Sequence, residues 1–260
     1  MNEKEFCGIK NLFESYVDRF RDQSGSFHSL LELKYQHSLR VAANSRAIAV
    51  EECFSEDHQF LAEAIGLLHD IGRFSQFSVF KSFRDADTID HGAEGQRILE
   101  SEKFNSLINH KDTATVFSAV HFHNRMHNNI PGNLSRQEYL FLNLIRDADK
   151  LDIFEIVLKS IRENGFRELS EMLPHVSNSR ELTPGIIQEA MNNKSLAIGR
   201  LSTLSDFLIM IATWYYDLNL AASRLIASRR NFLTLIRSEL PSSNEIDVFF
   251  ERIRNTCLID

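Results

Sequence analysis

The chain has 260 residues, of which 43% are hydrophobic and 25% charged, with a net charge of −7. That is enough for a globular protein with a sizeable core, and the acidic balance excludes a nucleic-acid binder that works through a basic surface. Ten glycines and four prolines are too few for a turn-rich β protein, so an all-α chain is expected. Cys7, Cys53 and Cys257 are odd in number, far apart and without a CxxC spacing, which speaks against a disulfide framework or a thiolate zinc site. The start "MNEKEFCGIK" does not resemble a signal peptide. The longest apolar stretch, around Phe207 to Trp214, is far short of a membrane span. A reducing, cytoplasmic location with no membrane partner is therefore expected.

Phe6, Ile9, Leu12, Phe13, Tyr16, Val17 and Phe20 recur at helical spacing and predict an opening amphipathic helix, broken by "DQSGS". A second helix is predicted over His28–Cys53, with an inward stripe of Leu30, Leu33, His37, Val41, Asn44 and Ile48. A third is predicted over Asp57–Ile71, with Ser55 or Glu56 near its cap and His69 continuing the stripe of Leu61, Ala64, Ile65 and Leu68. Gly72 stands where a helix-terminating glycine would stand. Residues 73–88 hold many phenylalanines without a clean period and are expected to form a long loop. Shorter helices follow over Ile89–Ser101 and Asp112–Asn124, then a loop, "RMHNNIPGN". Ser135–Glu138, "SRQE", reads as a capping box opening a long helix to about Asn164.

Thr183 and Pro184 read as the cap and first residue of a further helix. A long helix is predicted over Leu201–Leu240, stopped by Pro241, with "SSNE" at Ser242–Glu245 capping a last short helix. The basic run Arg224–Arg237 alternates with apolar residues and fits a solvated helix face. No linker separates the halves. One all-α domain is expected, with a core over about 28–160 and a helical extension over about 161–260.

Most of the ten histidines fall between His28 and His127. His37, His69 and His123 each sit on an apolar stripe of a different predicted helix. A lone inward histidine is commonly a satisfied core residue. Three of them, one beside an aspartate, shift the balance toward a shared metal ion, because buried polar groups need partners and one ion satisfies several. His69 and Asp70 adjoin at a predicted helix end, where both side chains can turn toward one ion. Mixed nitrogen and oxygen ligation suits Mn, Fe, Co, Ni or Zn, with Mg as a further candidate. A second acidic cluster lies in "LIRDADKLDIF", where Asp147, Asp149 and Asp152 interrupt an apolar helix. Asp147 and Asp149 point to nearly opposite sides and both faces are apolar, so periodicity does not choose between them. At least one of these carboxylates must be buried and must meet a cation or donors.

Taken in order, His37 in "KYQHSLRVA", then "LLHDIGRF", then "RDADKLD" resemble the H…HD…D signature of the HD-domain superfamily of metal-dependent phosphohydrolases. "HDIGRFSQF", "DHGAEGQRIL" and "AVHFHNR" are similar to a bacterial subgroup of the HDIGR type. The likeness covers about residues 30–156 and implies a helical HD bundle with a helical C-terminal extension. It implies His37, His69, Asp70 and Asp149 as metal ligands, with Asp70 placed to bridge if a second ion binds. Asp149 takes the last position because Lys150 and Leu151 follow it in the family's pattern, which leaves Asp147 an outer or structural role. His91 and His123 match positions that in some relatives hold a second metal or contact phosphate, and Gly95 would admit a close helix. In two-metal relatives the His123 position is followed by another histidine. Here Asn124 stands, so a second ion is left open. "NNIPGN" lacks the Gly-Tyr-Pro motif of the cyclic-dinucleotide subgroup, and that substrate is set aside.

The implied activity is metal-assisted hydrolysis of a small phosphate ester, with a nucleotide as the expected partner and no nucleic acid. Asp70 would position or deprotonate water, Arg73 and Lys150 would neutralise phosphoryl charge, and His91 or His123 would protonate the leaving oxygen or hold a second ion. The alternatives are a metal- or nucleotide-binding sensor without turnover and a helical scaffold with structural histidines. The Leu201–Leu240 helix is long enough to pack on the core or on a second copy, so a homo-oligomer is one expected arrangement.

Overall fold

The computed structural model describes residues 1–164, 173 and 175–257. Parts of the expected C-terminal extension, residues 165–172, 174 and 258–260, lie outside them. The chain is all-α. Its helices are α1 (Glu3–Val17), α2 (Ser29–Glu51), α3 (Glu56–Leu68), α4 (Gly72–Phe80), α5 (His91–Ser101), α6 (His110–Phe122), α7 (Arg136–Asn164), α8 (Ile186–Asn193), α9 (Leu204–Thr213), α10 (Ala221–Arg229), α11 (Phe232–Ser238) and α12 (Asn244–Cys257). Among the described residues, β pairing is limited to one isolated bridge, Ser177 with Thr203. No helix among them is long and apolar enough to cross a membrane. The chain divides into two compact units, Met1–Asp152 and Ile153–Asp260, and the division falls inside α7.

In the first unit α2 runs along α3, and α5 along both α4 and α6. The helix starts are chemically marked. The Asp90 carboxylate accepts from the Ala93 amide at 2.8 Å and opens α5. The Asn109 side chain accepts from the Lys111 amide at 3.2 Å and opens α6. At α7 the predicted capping box is present: the Glu138 amide donates to Ser135 Oγ at 3.2 Å, and the Ser135 amide donates to Glu138 Oε2 at 2.9 Å.

Two predictions for this unit need correction. The segment expected as a loop over 73–88 begins as α4, and only its later part is irregular, with one 3-10 turn at Asp85–Asp87. Phe74, Phe77 and Gln76 are buried, so this short helix is held by burial of one face and not by an extended amphipathic period. Gly72 does not terminate a helix. Helix α3 ends at Leu68, and Gly72 is the first residue of α4. Its lack of a side chain serves close approach: a Cβ there would collide with the His91 carbonyl oxygen and stand 2.8 Å from the Gly95 amide nitrogen. A Cβ on Gly95 would in turn stand 2.8 Å from Val120 Cγ1. These glycines let α4, α5 and α6 approach closely, as expected for Gly95.

In the second unit all ten residues of α9 are buried, which fits a helix that is apolar nearly all round. Phe154 lies in the same core, with Tyr215 stacked on it at 5.3 Å between ring centroids. The single helix predicted over Leu201–Leu240 is three helices. A 3-10 turn at Trp214–Asp217 follows α9, and Asn231, with φ of 55°, separates α10 from α11. Asn219 stabilises the first break by donating to the Asp217 carbonyl at 3.1 Å. The predicted helix start at Thr183–Pro184 is also displaced. Helix α8 begins at Ile186, after Gly185 with φ of 79°, while Thr183 is bonded to Asp206.

Candidate metal centre

Five elements of the first unit bring polar groups to one buried place. Helix α2 carries Lys34 and His37. His69 and Asp70 lie in the tight connection between α3 and α4, His91 opens α5, His123 ends α6, and Asp149 and Asp152 lie on α7. His37, His69, Asp70, His91 and His123 are all buried.

Asp70 is at the centre. Its Oδ2 lies 3.6 Å from His37 Nε2 and 3.7 Å from His69 Nε2, and it accepts from Lys34 Nζ at 2.8 Å. Its Oδ1 lies 3.3 Å from His91 Nε2, 3.7 Å from His123 Nε2 and 3.4 Å from Arg73 Nε. The two oxygens thus face two different histidine pairs. Asp149 completes the first group, with Oδ1 3.2 Å from His37 Nε2. Among the described residues, donor atoms of His37, His69 and Asp149 lie within 4.8 Å of one another, and so do those of His69, Asp70 and His123.

Every one of the four rings is anchored through Nδ1. His69 donates to the Gly66 carbonyl at 2.8 Å and His123 to the Val120 carbonyl at 2.8 Å. His37 donates to Asp152 Oδ2 at 2.6 Å and His91 to Asp85 Oδ2 at 2.5 Å. Acceptors at Nδ1 orient each ring, so Nε2 points inward. The Nε2 atoms then meet in pairs, His37 with His69 at 3.2 Å and His91 with His123 at 3.0 Å. Between His91 and His123 two lone pairs at that separation repel, and an unsatisfied buried polar atom costs about 1–3 kcal/mol, whereas His37 Nε2 also meets Asp149 Oδ1 at 3.2 Å. A divalent cation between such donors removes the penalty, and nitrogen with carboxylate oxygen is the donor set of a transition metal. The residues present fit such an ion.

Protonation follows from the same contacts. Burial is the largest influence on His69 and draws its pKa down to about 3. Burial, aided by Arg73, draws His91 down to about 4. His37 goes the other way: burial and Lys34 oppose its charge, but bonds to Asp149 and Asp152 outweigh them and raise its pKa. Burial alone would raise Asp70, yet Lys34, the surrounding imidazoles and Arg73 hold it well below the usual carboxylate range. Asp149 is lowered in the same way, burial being overcome by His37.

All four residues expected as metal ligands, together with His91 and His123, are brought to this one place. Asp147 is fully buried on α7, while Asp149 is partly exposed. Arg73 is engaged beyond Asp70: its Nη1 donates to Gln76 Oε1, the Phe83 carbonyl and Asp85 Oδ1 at 2.7–2.8 Å. Lys150 follows Asp149 on α7 and is partly exposed. Sequence reasoning missed Lys34, Asp85 and the outer role of Asp152, whose Oδ1 also accepts from Arg40 Nε at 2.6 Å. Lys34 lies one turn before His37 and Asp152 one turn after Asp149, so helical spacing from each ligand was a usable signal. Asp85 had none, being in an irregular segment.

The family model described as "HD domain" matches residues 35–153. The chain carries an HD domain. The match starts two residues before His37 and ends one residue after Asp152, so it takes in the histidines and aspartates described above, while Lys34 stands one residue before it. HD domains form a superfamily of metal-dependent phosphohydrolases. No match was found among curated proteins or among solved structures.

Proposed function

We propose that this HD domain is a metal-dependent phosphohydrolase acting on a small phosphate ester, with a nucleotide or a related phosphorylated metabolite as substrate. One observation carries this: four imidazoles, each anchored at Nδ1, turn their Nε2 atoms toward the two oxygens of one buried carboxylate. His37, His69, Asp70 and Asp149 would hold a divalent cation, and Asp70, His91 and His123 have the donors for a second. When bound, such a cation lowers the pKa of water toward neutrality and polarises a phosphoryl oxygen.

The protein's own groups have distinct tasks. Asp70 is kept ionised by Lys34, the imidazoles and Arg73, so it acts as a fixed negative charge that orients water and holds cations. A carboxylate lowered this far is a weak base, which makes orientation its main contribution. His91 is kept neutral, and a neutral imidazole with a pKa of about 4 suits lone-pair donation better than proton delivery at pH 7. Lys34, with a side chain 13% exposed and Nζ already at Asp70, is the cation best placed to meet phosphoryl charge. Arg73 is tied to the α4–α5 loop and contributes through its field.

The test is a hydrolysis screen on phosphomonoesters and nucleotides with Mn, Co, Ni and Mg. Turnover that depends on added metal and is lost in His69→Ala and Asp149→Ala is the expected outcome. No turnover with any of these metals, while nucleotide binds tightly, would move the protein to the sensor class.

A further inference from the structure

The four anchored imidazoles fall into two classes. His69 and His123 donate to carbonyls three residues back in their own chain segment, so local backbone geometry holds them. His37 and His91 instead donate to side-chain carboxylates, the first on a helix more than a hundred residues away in sequence and the second in the connection that leads into α5. The carboxylate under His37 belongs to Asp152, whose side chain is fully buried on α7. The one under His91 belongs to Asp85, whose side chain is 31% exposed. Asp85 stands in the connection between α4 and α5, where Lys81, Arg84, Ala86 and Asp87 are exposed. It is drawn inward by a set of donors. Its Oδ1 accepts from Arg73 Nη1 at 2.7 Å and from Gln76 Nε2 at 3.0 Å, and its Oδ2 accepts from Asn124 Nδ2 at 3.2 Å as well as from His91. Gln76, fully buried, also donates to Thr88 Oγ1 at 2.8 Å, so it and Arg73 fasten the connection to α4.

We propose that Asp85 is the positioning residue for His91, so that cation binding by the His91, His123 and Asp70 half of the centre depends on the α4–α5 connection, while the His37, His69 and Asp149 half does not. Asn124, which stands where two-metal relatives carry a histidine, has its amide nitrogen turned to Asp85 and Asp90. It serves the same outer position instead of ligating. This rests on the metal-dependent function proposed above.

The test titrates the metal-free full chain with Mn²⁺ by calorimetry, with elemental analysis for stoichiometry. The wild type is expected to bind two ions. In Asp85→Ala one site keeps its affinity within about twofold, and the other weakens by about 10–100-fold, the usual effect of losing an outer partner of a ligating histidine. Asp85→Asn, which keeps an acceptor oxygen, should lie between the two and carries the test if Asp85→Ala fails to fold. An independent readout is the Nδ1–H proton resonance of His91 in the metal-free protein, which should disappear in Asp85→Ala while that of His37 persists. Two wild-type sites that stay unchanged, or weaken equally, in the Asp85 variants would overturn the inference and leave the proposed function standing. A single wild-type site would overturn it as well. A wild type that binds no metal would overturn both.

Discussion

Asp206 in the second unit and Asp70 in the first are both buried, but they meet different partners. Asp206 accepts from the Thr183 amide and hydroxyl at 2.8 and 2.6 Å, and from the Ser202 and Thr203 amides at 3.0 and 3.2 Å. Neutral donors satisfy it, and it closes the capping box of α9. Asp70 faces four imidazoles, a lysine and an arginine, and the imidazole nitrogens around it also face one another. Burial of a carboxylate is therefore no sign of function by itself. What marks a site is a set of buried groups whose mutual satisfaction requires something more, and among the described residues the groups able to share a metal ion lie in the first unit.

The contrast is broken most severely at the ligands. His69→Ala and Asp149→Ala are expected to lower metal-dependent hydrolysis by more than about 100-fold, beyond the 10–100-fold typical of an outer partner. Mn²⁺ at about 100 times its Kd should stabilise the wild type by about 2.7 kcal/mol, read as a rise in Tm that both variants lack. Asp206→Ala should have the opposite profile. It strands several donors and loses a cap, costing about 2–3 kcal/mol of stability by urea denaturation, while metal stoichiometry of the folded fraction stays unchanged.

Gly72→Ala sharpens the comparison between packing and site. The added methyl meets the His91 carbonyl, so it should cost about 1–3 kcal/mol and also weaken metal binding, because α5 carries His91. The smallest effect is on pH dependence of the metal-free protein. His69 and His91 have folded pKa values of about 3 and about 4, below the ordinary value of 6.5. Below pH 6.5 the unfolded chain therefore takes up protons that the folded one refuses. Their contribution to stability is complete above pH 6.5 and falls away toward pH 3. His37, raised by its carboxylates, contributes in the other direction: its stabilisation is present below pH 6.5 and lost as pH rises through its folded value. Urea midpoints should show a shallower acid decline between pH 4 and 7 for His69→Gln, and for His37→Gln a smaller loss of stability as pH rises above 6.5. The same slopes in both variants would contradict the protonation states described.

Much of the site was legible because its ligands sit on helices with regular neighbours. His37, His69 and His123 stood out as polar residues on apolar stripes, and the ordered motifs joined them to Asp70 and Asp149 across more than a hundred residues of chain. Asp85 was not legible. It lies in an irregular segment and acquires meaning only through Arg73, Gln76, Asn124 and His91, which no period connects to it. Lys34 stood within reach of inference, one turn from His37, but only its 2.8 Å approach to Asp70 distinguishes it from a surface lysine.

By itself the sequence determined the helical class, the position of the α7 capping box and the set of groups able to ligate, since each depends on local spacing or residue chemistry. The tertiary structure decided the rest. It made a helix of Gly72–Phe80 by burying Phe74 and Phe77, turned Gly72 from a helix end into a point of close approach, and broke the expected Leu201–Leu240 helix at positions without glycine or proline. It also split the oxygens of Asp70 between two histidine pairs. These outcomes depend on contacts between residues far apart in the chain, and periodicity records only which face of a helix is buried, not what it is buried against.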